Sequence, residues 1–244
     1  MTLYVFLLTI LLVCLYILWR YNIKKVQTYI SPLQGSIVVW EKYNKEKLLT
    51  INNYSQGISI TDSSIKKSYW YKIASRVLEV CKKKKNPHVL VLGLGANTTS
   101  LLIQKENQRV SFTIVEIDTQ IIQACKDWFN LYSLKKLTLI NDDAYKVIGK
   151  KTQIRGPFDA IIIDIFNGKS SKKIHSREKK IITQLSKLLS PHGALVFNWP
   201  ANSEKTKKEA DKIMSNCKKI GLHVYKEYVK DSRRYKNYVI TAEN

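Results

Sequence analysis

The sequence predicts an α/β fold: a seven-stranded cofactor-binding sheet preceded by a small antiparallel β-domain and one N-terminal transmembrane helix. Three observations lead there. From His88 onward, short apolar runs alternate with amphipathic segments of helical length, the rhythm of parallel strands joined by helices. The first apolar run ends in Gly93-Leu94-Gly95 and the second in Glu116-Ile117-Asp118. That is the strand, glycine turn, helix, strand, acid order of a nucleotide-binding βαβ unit. Ahead of both regions, Leu3 to Trp19 carries no charge and no proline.

As a helix, Leu3 to Trp19 spans roughly 25 Å at about 1.5 Å per residue, near the minimum for a bilayer core. Arg20, Lys24 and Lys25 follow it and no charged side chain precedes it. The positive-inside rule then places the C-terminal domain in the cytoplasm, on a single-pass membrane protein. A cleaved signal peptide is the rival, but the segment lacks a basic start and a small-residue cleavage site.

Tyr21 to Ile30 reads as a polar connector, followed by Ser31-Pro32-Leu33-Gln34. Three strand-like stretches come next: Ser36 to Tyr43, Lys47 to Asn52 and Gly57 to Thr61. They alternate or are β-branched and are separated by turn residues, as in a set of hairpins. Ser64 to Lys82 is an amphipathic helix with Tyr69, Ile73, Val77 and Val80 at helical spacing. Lys82 to Lys85 put cations at its favourable C-terminal end. The expected organisation is an anchor over residues 1–20, a linker over 21–35, a β-hairpin domain over 36–63 and a cofactor-binding domain over 64–244.

In that last domain the strands fall at His88–Leu92, Val110–Val115, Leu137–Ile140, Phe158–Ile163, Ala194–Asn198, His223–Glu227 and Tyr238–Thr241. Helices fall near Thr98–Lys105, Thr119–Leu131, Ala144–Lys150, Ser176–Leu189 and Ser203–Ile220. Five βα repeats that end in two strands without a long helix between them describe a Rossmann-like sheet of the methyltransferase type. Ligands of such sheets sit beyond the carboxyl ends of the strands. The residues there are Gly93, Glu116, Asp142-Asp143, Asp164 and Asn198.

The chain has 244 residues and a formal net charge of +22, from 41 Lys+Arg against 19 Asp+Glu. Such a charge suits an anionic partner. The lysines, however, are spread along the whole chain in short runs, so nucleic acid is not expected as a partner. The four cysteines, Cys14, Cys81, Cys125 and Cys217, are far apart. They suggest no disulfide framework and no metal site, and they fit a reducing compartment.

The glycines Gly93 and Gly95 let backbone approach a ligand without a Cβ in the way. The third glycine position of the dinucleotide fingerprint is Thr99. That argues against a pyrophosphate cofactor and favours an S-adenosyl ligand. Glu116 can accept from both hydroxyls of a ribose. Asp143 can accept from an adenine amine or cap the next helix, and the two roles can coexist. Asp164, after an apolar strand and beside the cofactor's reactive end, is the best catalytic candidate; a structural cap is its alternative. Tyr69-Trp70-Tyr71 is either core packing or a substrate wall. The four histidines are scattered at strand starts and loops and read as polar surface.

On these residues the chain resembles the spermidine synthase family, the polyamine aminopropyltransferases. Ser31-Pro32-Leu33-Gln34 with Ile37-Val38-Val39 resembles that family's N-terminal opening. Leu48-Leu49 to Gln56, then Tyr69, resembles its hairpin and tyrosine helix. Val91 to Gly95 with Val115 to Asp118 resembles its cofactor core. Asp142-Asp143-Ala144 and Ile161-Ile162-Ile163-Asp164 resemble its adenine and catalytic segments. The resemblance implies that Gln34, Gly93, Gly95, Glu116 and Asp143 bind S-adenosylmethionine or its decarboxylated form. It implies Asp164 as the base, and Gln56, Tyr69, Trp70 and Asn167 on the acceptor side.

The chain departs from the family where the acceptor binds. Ala96 and Asn167 stand where the family has aspartates, Gly168 where it has proline, and Tyr69-Trp70-Tyr71 where it has Tyr-His-Glu. A diamine needs carboxylates where it is desolvated, so these neutral residues imply a less charged acceptor. The leading expectation is a membrane-anchored transferase moving an aminopropyl group to a small-molecule amine. A methyltransferase on the same scaffold and a non-catalytic membrane-tethered binding module are the alternatives, and a homodimer is left open.

Overall fold

The computed structural model describes residues 2–20, 23–60, 63–149, 154–165, 178–231 and 235–244. Thr2–Arg20 forms one helix, α1, and here the membrane reading is corrected. Its 19 residues sit just under the roughly 20 consecutive apolar residues that a span takes. Among the described residues no helix is long and apolar enough to cross a membrane. The transmembrane helix, the single-pass membrane localisation, the cytoplasmic placement derived from it and the membrane as a partner are therefore set aside.

The amino-terminal sheet has four antiparallel strands in chain order: β1 Lys24–Ser31, β2 Gly35–Glu41, β3 Lys47–Ile51 and β4 Tyr54–Ile58. Two of them differ from the sequence reading. The segment read as a polar connector contains β1. Its pairing with β2 slips between Lys25 and Gln27, so no period-two pattern survives in its sequence. β4 starts at Tyr54 because Asn52 and Asn53, at φ 48° and 67°, form a two-residue hairpin turn. One face of this sheet is apolar: Ile37, Val39, Leu49 and Ile51 are all buried, and they join the same core as Ile73 and Val77.

The predicted helix over Ser64–Lys82 is interrupted. A 3₁₀ turn, Ser63–Lys67, precedes α2, Tyr69–Cys81, because the Ser68 side chain accepts from the Tyr71 N–H and caps a fresh helix start. The capping puts Tyr69 at the first turn of α2, facing the ends of the main sheet.

The main sheet is built from β5 His88–Leu92, β6 Ser111–Glu116, β7 Leu137–Asn141, β8 Phe158–Ile163, β9 Leu189–Pro200, β10 His223–Lys230 and β11 Lys236–Glu243. Their order across the sheet is β10-β11-β9-β8-β5-β6-β7. β5 to β9 run parallel, and β11 is antiparallel to both neighbours. The helices are α3 Thr98–Glu106, α4 Thr119–Trp128, α5 Ala144–Gly149, α6 Glu178–Ser186 and α7 Glu204–Lys218.

The central strands read as unbroken apolar runs because both faces are covered. Val89 and Val91 point to the core shared with the amino-terminal sheet and α2, while Leu90 and Leu92 point to the core under α5 to α7. The chain winds outward from β5 through β6 to β7, then returns to β8 on the other side of β5. The strand order reverses between β5 and β8, and a crevice forms at such a reversal.

Candidate cofactor and acceptor site

The two glycines of the β5 turn do more than open space for a ligand. Gly93 has φ +93°, and a Cβ there would lie 2.2 Å from the backbone oxygen of Asp164. Gly95 has φ +53°, and its Cβ would meet the Gln56 carbonyl at 2.7 Å. The missing side chains let β8 and β4 close on the turn from opposite sides. The same turn is completed by Asn97, at φ 59°, a left-handed conformation that asparagine tolerates.

Glu116 ends β6 and lies under this turn, 6% exposed. Its carboxylate accepts from the N–H of Leu94 and from that of Asp118, each at 2.9 Å. Burial raises its pKa, and those two backbone bonds counter the shift. Each oxygen keeps acceptor capacity beyond its one backbone bond, which suits a pair of ribose hydroxyls.

Asp118 is a site residue that reading strand ends misses. It caps α4 by accepting from the Gln120 N–H, and it also accepts from Ser31 Oγ at 2.5 Å and Gln34 Nε2 at 3.3 Å. Gln34 is thereby tied to Asp118, with its own carbonyl held by Asn52 at 2.8 Å. Only the acid-rich Glu116-Ile117-Asp118 stretch hints at this role.

At the end of β7, Asp143 accepts from the Tyr145 N–H at 2.8 Å and so caps α5. Asn141 ties the ends of β6 and β7 together by donating to the carbonyls of Glu116 and Ile117. An apolar cavity lies at the ends of β5, β8 and β9 under α5 to α7, with Leu92, Tyr145, Ile163, Ile165 and Phe197 in its wall and Asn198 adding a polar edge.

Asp164 ends β8. Its N–H donates to the Leu92 carbonyl at 2.9 Å, and its Oδ1 accepts from Asn198 Nδ2 at 2.8 Å. Desolvation pushes its carboxyl up from the ordinary aspartate range to about 6, against the lowering effect of the Asn198 bond. Asn198 is 3% exposed, and its Oδ1 accepts from Asn237 Nδ2 at 2.7 Å.

Tyr69 faces this group from α2. Burial and then the neighbouring Asp164 hold its phenol well above the usual value, while Tyr235 and Asp231 add to the effect and a hydrogen bond with Asn198 opposes it. Its ring lies 4.4 Å from that of Trp70, which is 2% exposed and meets Tyr235 edge-on at 6.3 Å. Trp70 is therefore packed away from solvent. Asp231, 5% exposed, accepts from the Tyr235 N–H. Asp231 and Tyr235 come from the β10–β11 connection and Asn237 from the start of β11; they carry no local signature.

Of the residues expected on the acceptor side, Gln56 spends its amide on the Tyr54 carbonyl at 3.3 Å, and its backbone rather than its side chain abuts Gly95. Asn167 lies outside the described residues. Tyr69, Asp164 and Gly93 are brought together, and Asp118 links Gln34 to Glu116.

A seven-stranded sheet with a single reversed strand, a glycine turn at its centre and acids ending three successive strands is a methyltransferase-like α/β fold. The spermine/spermidine synthase domain matches residues 70–242, and the chain belongs to that family. It is 25% identical over 150 residues to a polyamine aminopropyltransferase of Vibrio vulnificus, covering 61% of this chain and 50% of that one. It is 23% identical over 144 residues to an eEF1A lysine and N-terminal methyltransferase homolog of Drosophila melanogaster, covering 57% of this chain and 21% of that one. The chain thus spans half or less of the length of these curated relatives. A crystal structure of a probable spermidine synthase from Corynebacterium glutamicum superposes with a TM-score of 0.70 at 18% identity, over 90% of this chain and 79% of that one. That likeness is one of fold.

Proposed function

We propose that the protein is an aminopropyltransferase that uses decarboxylated S-adenosylmethionine and a small-molecule amine. The observation that carries the reading is the setting of Asp164: a desolvated carboxylate at the sheet reversal, oriented by Asn198, beside Tyr69 and packed on the cofactor turn at Gly93.

The residues present fit an S-adenosyl group. Glu116 has acceptors for the ribose, the Asp143 segment and the apolar cavity suit a purine, and Gln34 closes the ribose side. The bound cofactor supplies an electrophilic carbon next to a sulfonium. Asp164 aligns the amine and takes its proton as the new C–N bond forms. With the cofactor bound, the C–S bond would break as the C–N bond forms, its electron pair returning to sulfur. Proton removal by a positioned base contributes about 10²–10⁴-fold in rate. Tyr69, Asp231 and Tyr235 shape the acceptor side. The neutral Ala96 and Tyr71 favour an acceptor with fewer charges than a free diamine has.

Methyl transfer is the second reading, favoured by the likeness to the Drosophila methyltransferase homolog and by those same neutral positions. Titration calorimetry of the full chain with both cofactors, followed by turnover with a panel of amines, separates the two. The full chain is required because removing residues 1–30 would cut through β1. Binding of the decarboxylated form with amine-dependent turnover is expected. Binding of S-adenosylmethionine alone would move the assignment to methyl transfer, and binding of neither would overturn both.

A further inference from the structure

The buried amide of Asn198 uses both of its ends. Its nitrogen donates to Asp164 at 2.8 Å, and its oxygen accepts from Asn237 at 2.7 Å, across from β11. The two ends of an amide have nearly the same shape, so steric fit alone does not choose which one faces the carboxylate. An ionised carboxylate only accepts, so a turned amide would set two acceptors against each other. A buried carbonyl without a donor is also costly. If Asn237 were absent, the Asn198 oxygen would lose its hydrogen bond, and a rotation that finds it another donor would withdraw the nitrogen from Asp164.

We propose that Asn237 is a positioning residue: by donating to the Asn198 carbonyl it holds the Asn198 amide in the orientation that donates to Asp164. The inference rests on the assignment of Asp164 as the base but is tested separately from it. Asn237 reaches the site through Asn198 and is only half-buried at the start of β11. The ionisable groups around the pair are Tyr69 from α2 and Asp231 and Tyr235 from the β10–β11 connection; substitution at Asn237 leaves all three in place.

The test is a ¹³C-carboxyl NMR titration of Asp164 in the full chain, with the resonance assigned by its loss in Asp164→Asn. Wild type should titrate near 6. Asn237→Leu keeps the size and removes the donor without adding charge. Its midpoint should rise by about one pH unit, a tenfold gain in proton affinity. Asn237→Gln, which retains a donor, should stay near wild type. If Asn237→Leu does not fold, Asn237→Ala gives the same reading with a smaller side chain. A midpoint unmoved in the donor-free variants overturns the inference, as does a shift in Asn237→Gln as large as in Asn237→Leu. The base assignment fails on a different result: undiminished turnover of Asp164→Asn with decarboxylated S-adenosylmethionine and an amine that the wild type accepts.

Discussion

Ser31 donates its hydroxyl to Asp118 at 2.5 Å, and both residues are buried, at 3% and 1% exposure. Ser31 ends β1 and Asp118 follows β6, so this contact is one of the ties between the amino-terminal sheet and the main domain. Ser31 Oγ also accepts from the N–H groups of Leu33 and Gln34 at 3.0 Å each, which shapes the turn that presents Gln34. Ser31→Ala leaves Asp118 short of one donor and the turn without its anchor. A loss of about 1–3 kcal/mol in urea-denaturation stability is expected, together with weaker cofactor binding. Stability and affinity both at wild-type levels would show that the sheet is held elsewhere.

Gly93 and Gly221 form a natural pair of controls. Both have positive φ, +93° and +90°, but a Cβ at Gly221 meets nothing within 4 Å while one at Gly93 meets the Asp164 backbone. Gly221→Ala therefore reports left-handed strain alone, about 1–2 kcal/mol. Gly93→Ala adds an overlap that moves β8 and should cost about 1–3 kcal/mol more. It should also disturb turnover, because the displaced atom belongs to Asp164. Chemical denaturation of both variants decides; equal losses would mean that the close approach is not tight.

Glu116→Gln keeps the shape but turns one acceptor into a donor facing a backbone N–H, whichever way the amide points, since both oxygens accept from the main chain. Cofactor affinity should fall by about 1.5–3 kcal/mol, the worth of a hydrogen bond to a charged group. Calorimetry with a folded variant that binds as tightly as wild type would remove Glu116 from the ribose site.

The contrast between what could and could not be read from the sequence has a physical basis. Strands such as Leu90-Val91-Leu92 and Ile161-Ile162-Ile163 are covered on both faces, so they stand out as apolar runs, and whatever ends them lies at the crevice. Gly93, Glu116, Asp143, Asp164 and Asn198 were visible for that reason. β1 was not, because an edge strand with one sheet partner and a register slip keeps its polar residues exposed. The partners that tune the site, Ser31 with Asp118 and Asn237 with Asn198, are 87 and 39 residues apart. Such pairs leave no trace in local pattern. The apolar Leu3–Trp19 run misled in the opposite direction, because apolar composition reports burial potential without saying what the surroundings are.

Asp164 should trade stability for turnover. Its folded-state carboxyl is raised from 3.8 to about 6, so between those values the folded protein holds a proton that the unfolded chain has released. Stability then falls as pH rises through that window and stays low above it. The difference amounts to on the order of 2–3 kcal/mol, at about 1.4 kcal/mol per unit. Turnover needs the ionised form and so should rise through the same window, reaching its plateau above about 7. Asp164→Asn keeps the acceptor for the Asn198 bond and removes the charge. It should bind cofactor as wild type does, lose about 10²–10⁴-fold in rate, and gain stability at pH 7 but not at pH 3.5. Urea denaturation of both proteins at the two pH values checks the sign. A variant no more stable than wild type at pH 7 would mean that the carboxylate is solvated, and a solvated carboxylate would lack the raised basicity assigned to it.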